Sequence, residues 1–248
     1  MTRLLRAELL KLTSTRTVLG LFAAMLGLIV LAEVLHGFGL PADQLSDPSR
    51  QLMVFGLGEL LGVVFAALLG ALSITAEIRH GTIRPTFLVT PKRGRVLAAK
   101  VSVSSLIGGV FGLVGGTVAV VTGTAALEAR GIVVLLEGSD AVLLIAGAAG
   151  AAALWAAIGV GVGELVRNQV PAVVGICAWL LFVEGLLADA TGGLGEVGRY
   201  LPGAAAAAIA GLAPERLLAP AAGLALLVGY AILTGLAGAI ATSRRDVG

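Results

Sequence analysis

The strongest candidate for a binding function is one basic segment, residues 76–100, with the sequence AEIRHGTIRPTFLVTPKRGRVLAAK. It contains six basic residues and a single acidic residue, Glu77. At its centre the apolar triplet Phe87-Leu88-Val89 lies between two prolines. The charge alone favours attachment to anionic lipid, whereas an exposed apolar triplet favours insertion into a groove on a partner. The segment therefore indicates binding rather than catalysis.

Three carboxylates inside apolar runs, Glu33, Glu59 and Glu184, form a second group. A charged side chain near the centre of a bilayer costs about 2.5–3.5 kcal/mol, but each of these lies near the predicted outer end of its run. There they can reach water or a basic residue such as Arg50 or Arg199. Two interpretations stay open: rim residues without a transport role or, for Glu59 and Glu184, the lining of a path for a cationic or amphipathic substrate.

No catalytic motif accompanies these groups. The sequence lacks the P-loop pattern G-x-x-x-x-G-K-[ST], and it also lacks H-E-x-x-H and G-x-S-x-G. The single cysteine, Cys177, allows neither an intrachain disulfide nor a cysteine zinc site. The two histidines, His36 and His80, fall on opposite sides of the predicted membrane. We therefore expect no catalytic residue, no metal site and no cofactor bound by this chain.

The composition indicates which elements must position these residues. Of 248 residues, 58% are apolar and 13% are charged, with a mean hydropathy of +1.01, against about 45–50% and about 25% in soluble domains. Aromatic residues, at 4%, are too few for the girdles of a membrane β-barrel. The sequence predicts an all-α membrane protein with one transmembrane domain over residues 1–248. Runs of roughly 20 apolar residues predict six transmembrane helices, at Val18–Leu35, Met53–Ala76, Val101–Ala126, Ala141–Gly163, Val170–Leu187 and Leu217–Ala241.

The distribution of basic residues predicts the orientation of these helices. Only four of the 17 basic residues lie on the side opposite to the termini, namely Arg50, Arg130, Arg199 and Arg216. By the positive-inside rule the more basic side faces the cytoplasm. We therefore expect both termini, and a loop at residues 77–100, in the cytoplasm.

Three segments outside the spans also have predicted structures. Residues 1–16 place three leucines on one stripe opposite two arginines, which predicts an amphipathic helix lying at the membrane interface. Residues 188–216 include an apolar run that is too short to cross a bilayer, so we expect a short helix or a re-entrant helical hairpin on the outer face, buried against the bundle. Residues 132–136 are expected to extend the third span or to form an interfacial turn.

Glycines spaced four residues apart let helix backbones approach closely in lipid. Gly108, Gly112 and Gly116 form one such stripe on the third span, and Gly159 and Gly163 form another on the fourth. We expect these stripes to pack within the chain; a dimer interface is the alternative.

The basic segment also carries a resemblance to a known family. Its pattern Glu77-x-x-x-Gly81-Thr82 is followed after eight residues by Pro91 and then by KRGRVLAAK. This pattern resembles the cytoplasmic loop of ABC-2 type permeases, the membrane subunits of ATP-binding cassette exporters. The sequence TPKRGRVLAAK is especially similar to the corresponding stretch in permeases of high-GC Gram-positive bacteria. Those permeases have a similar length, six spans, an amphipathic N-terminal helix and short outer helices between spans five and six, so the resemblance covers the whole chain.

The resemblance implies that the segment from about Glu77 to Arg95 includes the coupling helix that docks on a separate ATPase subunit. Phe87 and Leu88 would fill a groove on the ATPase, and Arg93 would pair with acidic residues there. The implied ATPase-coupling residues lie in the entry turn, the docking helix and its closing turn: Glu77, Arg79, Gly81, Thr82, Phe87, Leu88, Pro91, Arg93 and Arg95.

The resemblance also implies an assembly and a function. Two permease chains, identical or homologous, would join two ATPase subunits that bind ATP and Mg²⁺; we expect contact with membrane lipid and none with nucleic acid. The expected function is export of a small hydrophobic or amphipathic substrate, such as an antibiotic or other drug, a lipid or a peptide, across the bacterial cytoplasmic membrane. The substrate path would run near spans two and five, which carry Glu59 and Glu184. The alternative is a membrane anchor or assembly factor that holds a cytoplasmic partner without transport.

Overall fold

The computed structural model describes residues 1–82, 93–188, 193–213 and 215–244. Within these ranges every regular element is helical, and no strand occurs. The α-helices are α1 (Thr2–Thr13), α2 (Arg16–Gly39), α3 (Pro48–Phe55), α4 (Leu57–Arg79), α5 (Arg93–Ala129), α6 (Gly138–Val166), α7 (Gln169–Ala178), α8 (Glu184–Ala188), α9 (Gly193–Gly198), α10 (Pro202–Ile209) and α11 (Pro220–Arg244). A 3₁₀ turn at Gln44–Ser46 precedes α3, and a π-helical segment at Trp179–Val183 joins α7 to α8.

Six helical segments are long and apolar enough to cross a membrane, which confirms the predicted number within the described residues. They are Arg16–Gly39, Pro48–Arg79, Arg93–Ala129, Gly138–Val166, Gln169–Ala188 and Pro220–Thr242. These segments make the chain consistent with a multi-pass membrane protein.

Two predicted boundaries are wrong. Helix α5 begins at Arg93, about two turns before the predicted start at Val101, so the end of the predicted loop is helical. The basic side chains there break the apolar run but not the helix, because arginine and lysine are good helix formers. The sixth span begins at Pro220 and not at Leu217, since proline is favoured in the first turn of a helix and disfavoured inside it.

Helix α4 lies at the centre of the bundle, and α5 and α6 pack against it and against each other. The glycine stripes make this packing possible, as predicted. A Cβ on Gly112 of α5 would lie 2.2 Å from the carbonyl oxygen of Ala148 on α6, and one on Gly159 of α6 would lie 2.1 Å from the carbonyl oxygen of Ala67 on α4. Both distances are far below van der Waals contact, so the helix backbones touch at positions where only glycine fits.

The two ends of the bundle have different structures. The terminal face is defined by α1, the end of α4 and the start of α5; the end of α11 lies there too, because Arg93 Nη1 donates to the carbonyl oxygen of Thr242 at 2.9 Å. At the opposite face, Arg130 donates to the carbonyl oxygen of Leu40 at 2.8 Å and to that of Gly37, so it caps the end of α2.

Residues 132–136 at the opposite face are extended rather than helical. Ile132, Val134 and Leu136 pack inward, while the two residues between them are exposed. The buried Gln51 of α3 holds this segment, since its amide nitrogen donates to Val133 O at 2.8 Å and its amide oxygen accepts from the N–H of residue 135 at 2.9 Å. The predicted extension of the third span is therefore wrong.

The short helix α10 packs against α6 and α11, and Ala205, Ala206 and Ala208 are buried. This agrees with the predicted short helix between spans five and six that is buried against the bundle. The spans at the periphery contrast with the centre: in their most apolar windows only 17% of α2, 22% of α7–α8 and 11% of α11 is buried, against 67% for α3–α4. The peripheral spans therefore present broad apolar surfaces outside the chain.

Candidate functional site at the terminal face

A buried lysine organises the terminal face. The side chain of Lys100, on α5, is only 2% exposed. Its ammonium group donates to Glu8 Oε2 of α1 at 2.8 Å, to Glu77 Oε1 of α4 at 2.7 Å and to the carbonyl oxygen of Ser73 at 3.2 Å. An ammonium group has three donors, and all three are used. Lys100 therefore joins α1, α4 and α5 at one point.

A second lysine completes a charge-neutral network, here called the Lys100 network, of Glu8, Lys11, Glu77 and Lys100. The ammonium group of Lys11 lies 2.7 Å from Glu8 Oε1 and 3.0 Å from Glu77 Oε1. The side chain of Lys11 is 42% exposed, whereas that of Glu8 is 3% exposed and that of Glu77 is 14% exposed. Two cations thus balance two anions, and the burial increases from Lys11 inward to Lys100.

The network shifts the pKa of Glu8 and of Lys11, its two members on α1. Burial by itself would raise the pKa of the Glu8 carboxyl, but the charges and hydrogen bonds of Lys100 and Lys11 outweigh burial and lower it. For Lys11, burial would lower the pKa, but its hydrogen bonds and charge interactions with Glu8 and Glu77 outweigh burial and raise it. Both shifts favour the charged forms of Glu8 and Lys11.

The predicted entry turn of the coupling segment terminates α4. Gly81 adopts a positive φ of 69°, its N–H donates to the carbonyl oxygen of Ile78 at 3.2 Å, and the N–H of Thr82 donates to that of Glu77 at 3.0 Å. These bonds form a Schellman motif, in which glycine is favoured because it has no Cβ. The same residue, Glu77, thus ends the helix with its carbonyl and anchors the Lys100 network with its carboxylate.

The other predicted coupling residues do not form one cluster. Arg79, in the last turn of α4, is exposed and donates to Gln169 Oε1 of α7 at 3.3 Å. Arg93 is half-buried at the start of α5, and Arg95, two residues further on, is exposed. The remaining three, Phe87, Leu88 and Pro91, lie outside the described residues.

Glu8 and Lys100 were not among the predicted site residues. The sequence analysis assigned Lys100 to a cytoplasmic loop and interpreted α1 as a leucine stripe, but Glu8 is the buried residue of α1, at 2% exposure. Leu5 and Leu12 are half-buried and Leu9 is exposed. One signal was present: Glu8 and Lys11 are spaced i, i+3 on the side of the helix that also carries Leu5 and Leu12, as expected for an ion pair facing the protein.

Glu59 and Glu184, the candidate substrate-path residues, lie at the opposite face and interact electrostatically. Glu184 accepts hydrogen bonds from the N–H of Gly203, at 2.9 and 2.8 Å to its two oxygens, from the N–H of Ala204 at 3.2 Å, and from Trp179 Nε1. It therefore caps the start of α10. Glu59 is 4% exposed, and its Oε1 atom is buried without a hydrogen-bond partner among the described residues.

The expectation that these carboxylates reach water or an outer arginine is wrong for Glu33 and Glu59. Glu33 is fully buried, and neither of its oxygens has a hydrogen-bond partner in the described part of the chain. Arg199 pairs instead with Glu196 at 3.4 Å. The apolar environment around Glu33 includes the ring of Phe55, since both side chains lie within 3 Å of the position that a Cβ on Gly123 would occupy. The Glu33 side chain packs against α5 and does not reach water, contrary to the prediction.

The sequence matches no protein-family model and no curated protein. The chemistry of the site therefore follows from its own residues. It offers a buried ion-pair network at the terminal face, which links three helices, and buried carboxyl groups near the opposite face.

Proposed function

We propose that the chain is the membrane permease subunit of an ABC-2 type exporter. It would move a small hydrophobic or amphipathic substrate across the bacterial cytoplasmic membrane, with energy from ATP hydrolysis on separate ATPase subunits. The support is the set of six membrane-spanning segments, the helix α1 on the terminal face, and the sequence pattern between residues 77 and 100 that resembles the coupling loop of those permeases. The terminal face is then cytoplasmic, as the excess of basic residues there favours.

The observation that carries this proposal is the Lys100 network at the base of the coupling segment. Glu77 and Lys100 lie on the two helices that flank the segment, and their side chains are 2.7 Å apart. Glu8 adds α1 to the same contact. Because Lys100 is buried and its three donors bond to α1 and α4, a force applied by a docked ATPase between the two flanking helices would move α1, α4 and α5 together. This is the mechanical requirement for coupling ATP binding to a change of the bundle between two states.

In the proposed assembly two permease chains and two ATPase subunits form the working unit. The exposed apolar faces of α2, α7–α8 and α11 would contact lipid and the second permease. The path of the substrate would run near α4 and α7–α8, where Glu59 and Glu184 provide acidic groups near the outer end. We expect Glu59→Gln and Glu184→Gln to lower transport of a cationic dye in reconstituted vesicles. Transport by both variants at the rate of the intact chain would show that these residues do not line the path.

Co-purification tests the proposal directly. The intact chain is purified from its native membrane in mild detergent, its partners are identified by mass spectrometry, and ATP hydrolysis by the complex is measured. We expect a P-loop ATPase and a vanadate-sensitive activity with the intact chain, and a reduced yield of both with Phe87→Ala and Arg93→Ala. Arg199→Ala, an exposed arginine of the opposite face, is the matched control and should retain both.

Three outcomes would contradict the proposal. The absence of an ATPase, under conditions that preserve a known transporter complex, would favour the membrane-anchor alternative. The same conclusion would follow if another cytoplasmic protein were recovered in place of an ATPase. An equal loss of ATPase with Arg199→Ala would show that the effect is not specific to the coupling segment.

A further inference from the structure

A cavity of about 670 Å³ opens at the terminal face between α1, α2, α4 and the start of α7. Its volume lies within the range of about 300–1,000 Å³ that is typical of small-molecule sites. The Lys100 network forms part of its wall, and α4 contributes residues from Leu69 to Arg79. The cavity is thus built from five helices, since Lys100 adds α5, and is not a depression on one helix.

The lining of the cavity changes from polar to apolar with depth. Arg79, His80 and Gln169 lie at the end of the helices, whereas Leu72 and Leu69 lie further into the bundle. The ten residue steps from Leu69 to Arg79 correspond to roughly 15 Å of helix rise, which is about the thickness of half the hydrocarbon core. On α2, Val18 and Leu21 continue the apolar part. The cavity therefore combines a polar mouth with apolar positions deeper along α2 and α4, beside the Lys100 network.

The charges around the cavity favour an anion. Lys11 and Lys100 are neutralised by Glu8 and Glu77. Arg79 forms no ion pair within the described residues; its one hydrogen bond goes to the neutral amide of Gln169 at 3.3 Å. A guanidinium group has five N–H donors, so most of the donors of Arg79 stay available at the mouth of the cavity. One uncompensated positive charge lies above an apolar interior.

We propose that this cavity binds one anionic phospholipid, with its phosphate at Arg79 and the first part of one acyl chain along Val18, Leu21 and Leu72. A guanidinium group forms short, charge-assisted bonds with phosphate oxygens, and the apolar walls replace the contacts of the acyl chain with neighbouring lipids. The volume is sufficient for the headgroup and part of one chain, while the rest of the lipid stays in the leaflet. The proposal does not depend on the exporter assignment, because it uses only residues around the cavity.

Native mass spectrometry of the purified full-length chain tests the proposal. The chain is titrated in detergent with palmitoyl-oleoyl phosphatidylglycerol, and separately with palmitoyl-oleoyl phosphatidylcholine. Arg79→Gln removes the charge at the mouth, and Arg6→Gln removes an exposed charge of α1 that does not line the cavity. Val18→Trp fills the apolar part without a change of charge. Monodisperse elution and an unchanged unfolding temperature show that each variant is folded.

We expect one phosphatidylglycerol to bind about ten-fold more tightly than phosphatidylcholine. Arg79→Gln should remove this preference, Arg6→Gln should retain it, and Val18→Trp should abolish binding of both lipids. Millimolar inorganic phosphate should not displace the lipid. Equal binding of the two lipids by the intact chain would overturn the proposal. An equal loss of the preference in Arg6→Gln and Arg79→Gln would also overturn it, because it would indicate diffuse electrostatic attraction of anionic lipid to the basic face. Full displacement by phosphate would show a free-anion site, and unchanged binding in Val18→Trp would exclude the cavity.

Discussion

Replacement of Lys100 by methionine tests the central feature of the terminal face. Methionine has a similar length and is a good helix former, so Lys100→Met removes the ammonium group while it preserves most of the packing of α5. The change leaves Glu8 and Glu77 with Lys11 as their only cation among the described residues. One of the two negative charges is then uncompensated, and the carbonyl oxygen of Ser73 loses Lys100 as a donor.

The magnitude follows from the burial of the group. Removal of one partner of a buried ion pair costs about 3–5 kcal/mol, because it leaves an uncompensated charge. Lys11 gives the matched comparison, since it contacts the same two carboxylates but is 42% exposed. An exposed ion pair contributes only about 0.2–1 kcal/mol. Lys100→Met should therefore lower the free energy of unfolding by about 3 kcal/mol or more, and Lys11→Met by less than about 1 kcal/mol.

A double variant identifies the cause of the loss. When Glu8→Gln is added to Lys100→Met, one positive and one negative charge remain, on Lys11 and Glu77, and the network is neutral again. The double variant should be more stable than the sum of the two single changes predicts, by about 1–2 kcal/mol. The measurement is reversible unfolding in mixed detergent micelles, followed by circular dichroism, on the four proteins of the cycle and on Lys11→Met. Equal losses for Lys100→Met and Lys11→Met, or strict additivity in the cycle, would refute the reasoning.

Three other perturbations have expected outcomes. Gly159→Ala should destabilise the protein by about 1–3 kcal/mol, because the new Cβ would lie 2.1 Å from a carbonyl oxygen of α4. Gly175→Ala is the control and should not destabilise the protein, because nothing lies within 4 Å of a Cβ there. Thermal unfolding of the two variants measures the difference. Glu8 has a lowered pKa, so its contribution to stability is present above the ordinary pKa of 4.5 and is lost as the pH falls through the lower pKa of the folded state. Between pH 7 and pH 3, the free energy of unfolding should therefore decrease less in Glu8→Gln than in the intact chain. Glu184→Ala should cost about 1–3 kcal/mol and increase amide exchange in α10, because the N–H of Gly203 loses its acceptor; unchanged exchange there would exclude the capping role.

The spans could be predicted from the sequence because a single physical quantity decides them. Twenty apolar residues in sequence satisfy the length of a bilayer crossing whatever their neighbours are. The glycine stripes were predictable for a related reason, since the spacing of small residues depends on the geometry of one helix. Helix ends were less predictable: Lys100 marks the edge of the apolar run that starts at Val101, but the helix already begins at Arg93.

The Lys100 network could not be predicted in the same way, because its partners are far apart in sequence. Glu8 and Lys100 are separated by 92 residues, and each has a simple interpretation by itself, as part of a polar helix face or as a loop cation. Only their meeting makes the burial of either favourable, since an ionised group is buried in a protein when it is paired. A pattern along one helix does not contain this information.

The opposite face shows the same principle with a different result. Position along the span placed Glu59 and Glu184 toward the face opposite the termini, where they lie in the structure, but it did not indicate which of them would be hydrogen-bonded. Glu184 found its donors on α10, a helix eighteen residues further along the chain whose free N–H groups need an acceptor. Glu59 has no such neighbour for its buried oxygen among the described residues. One carboxylate therefore fastens a short helix to the bundle, while the other keeps an unused acceptor in an apolar environment, which makes Glu59 the more informative of the two to replace in transport measurements.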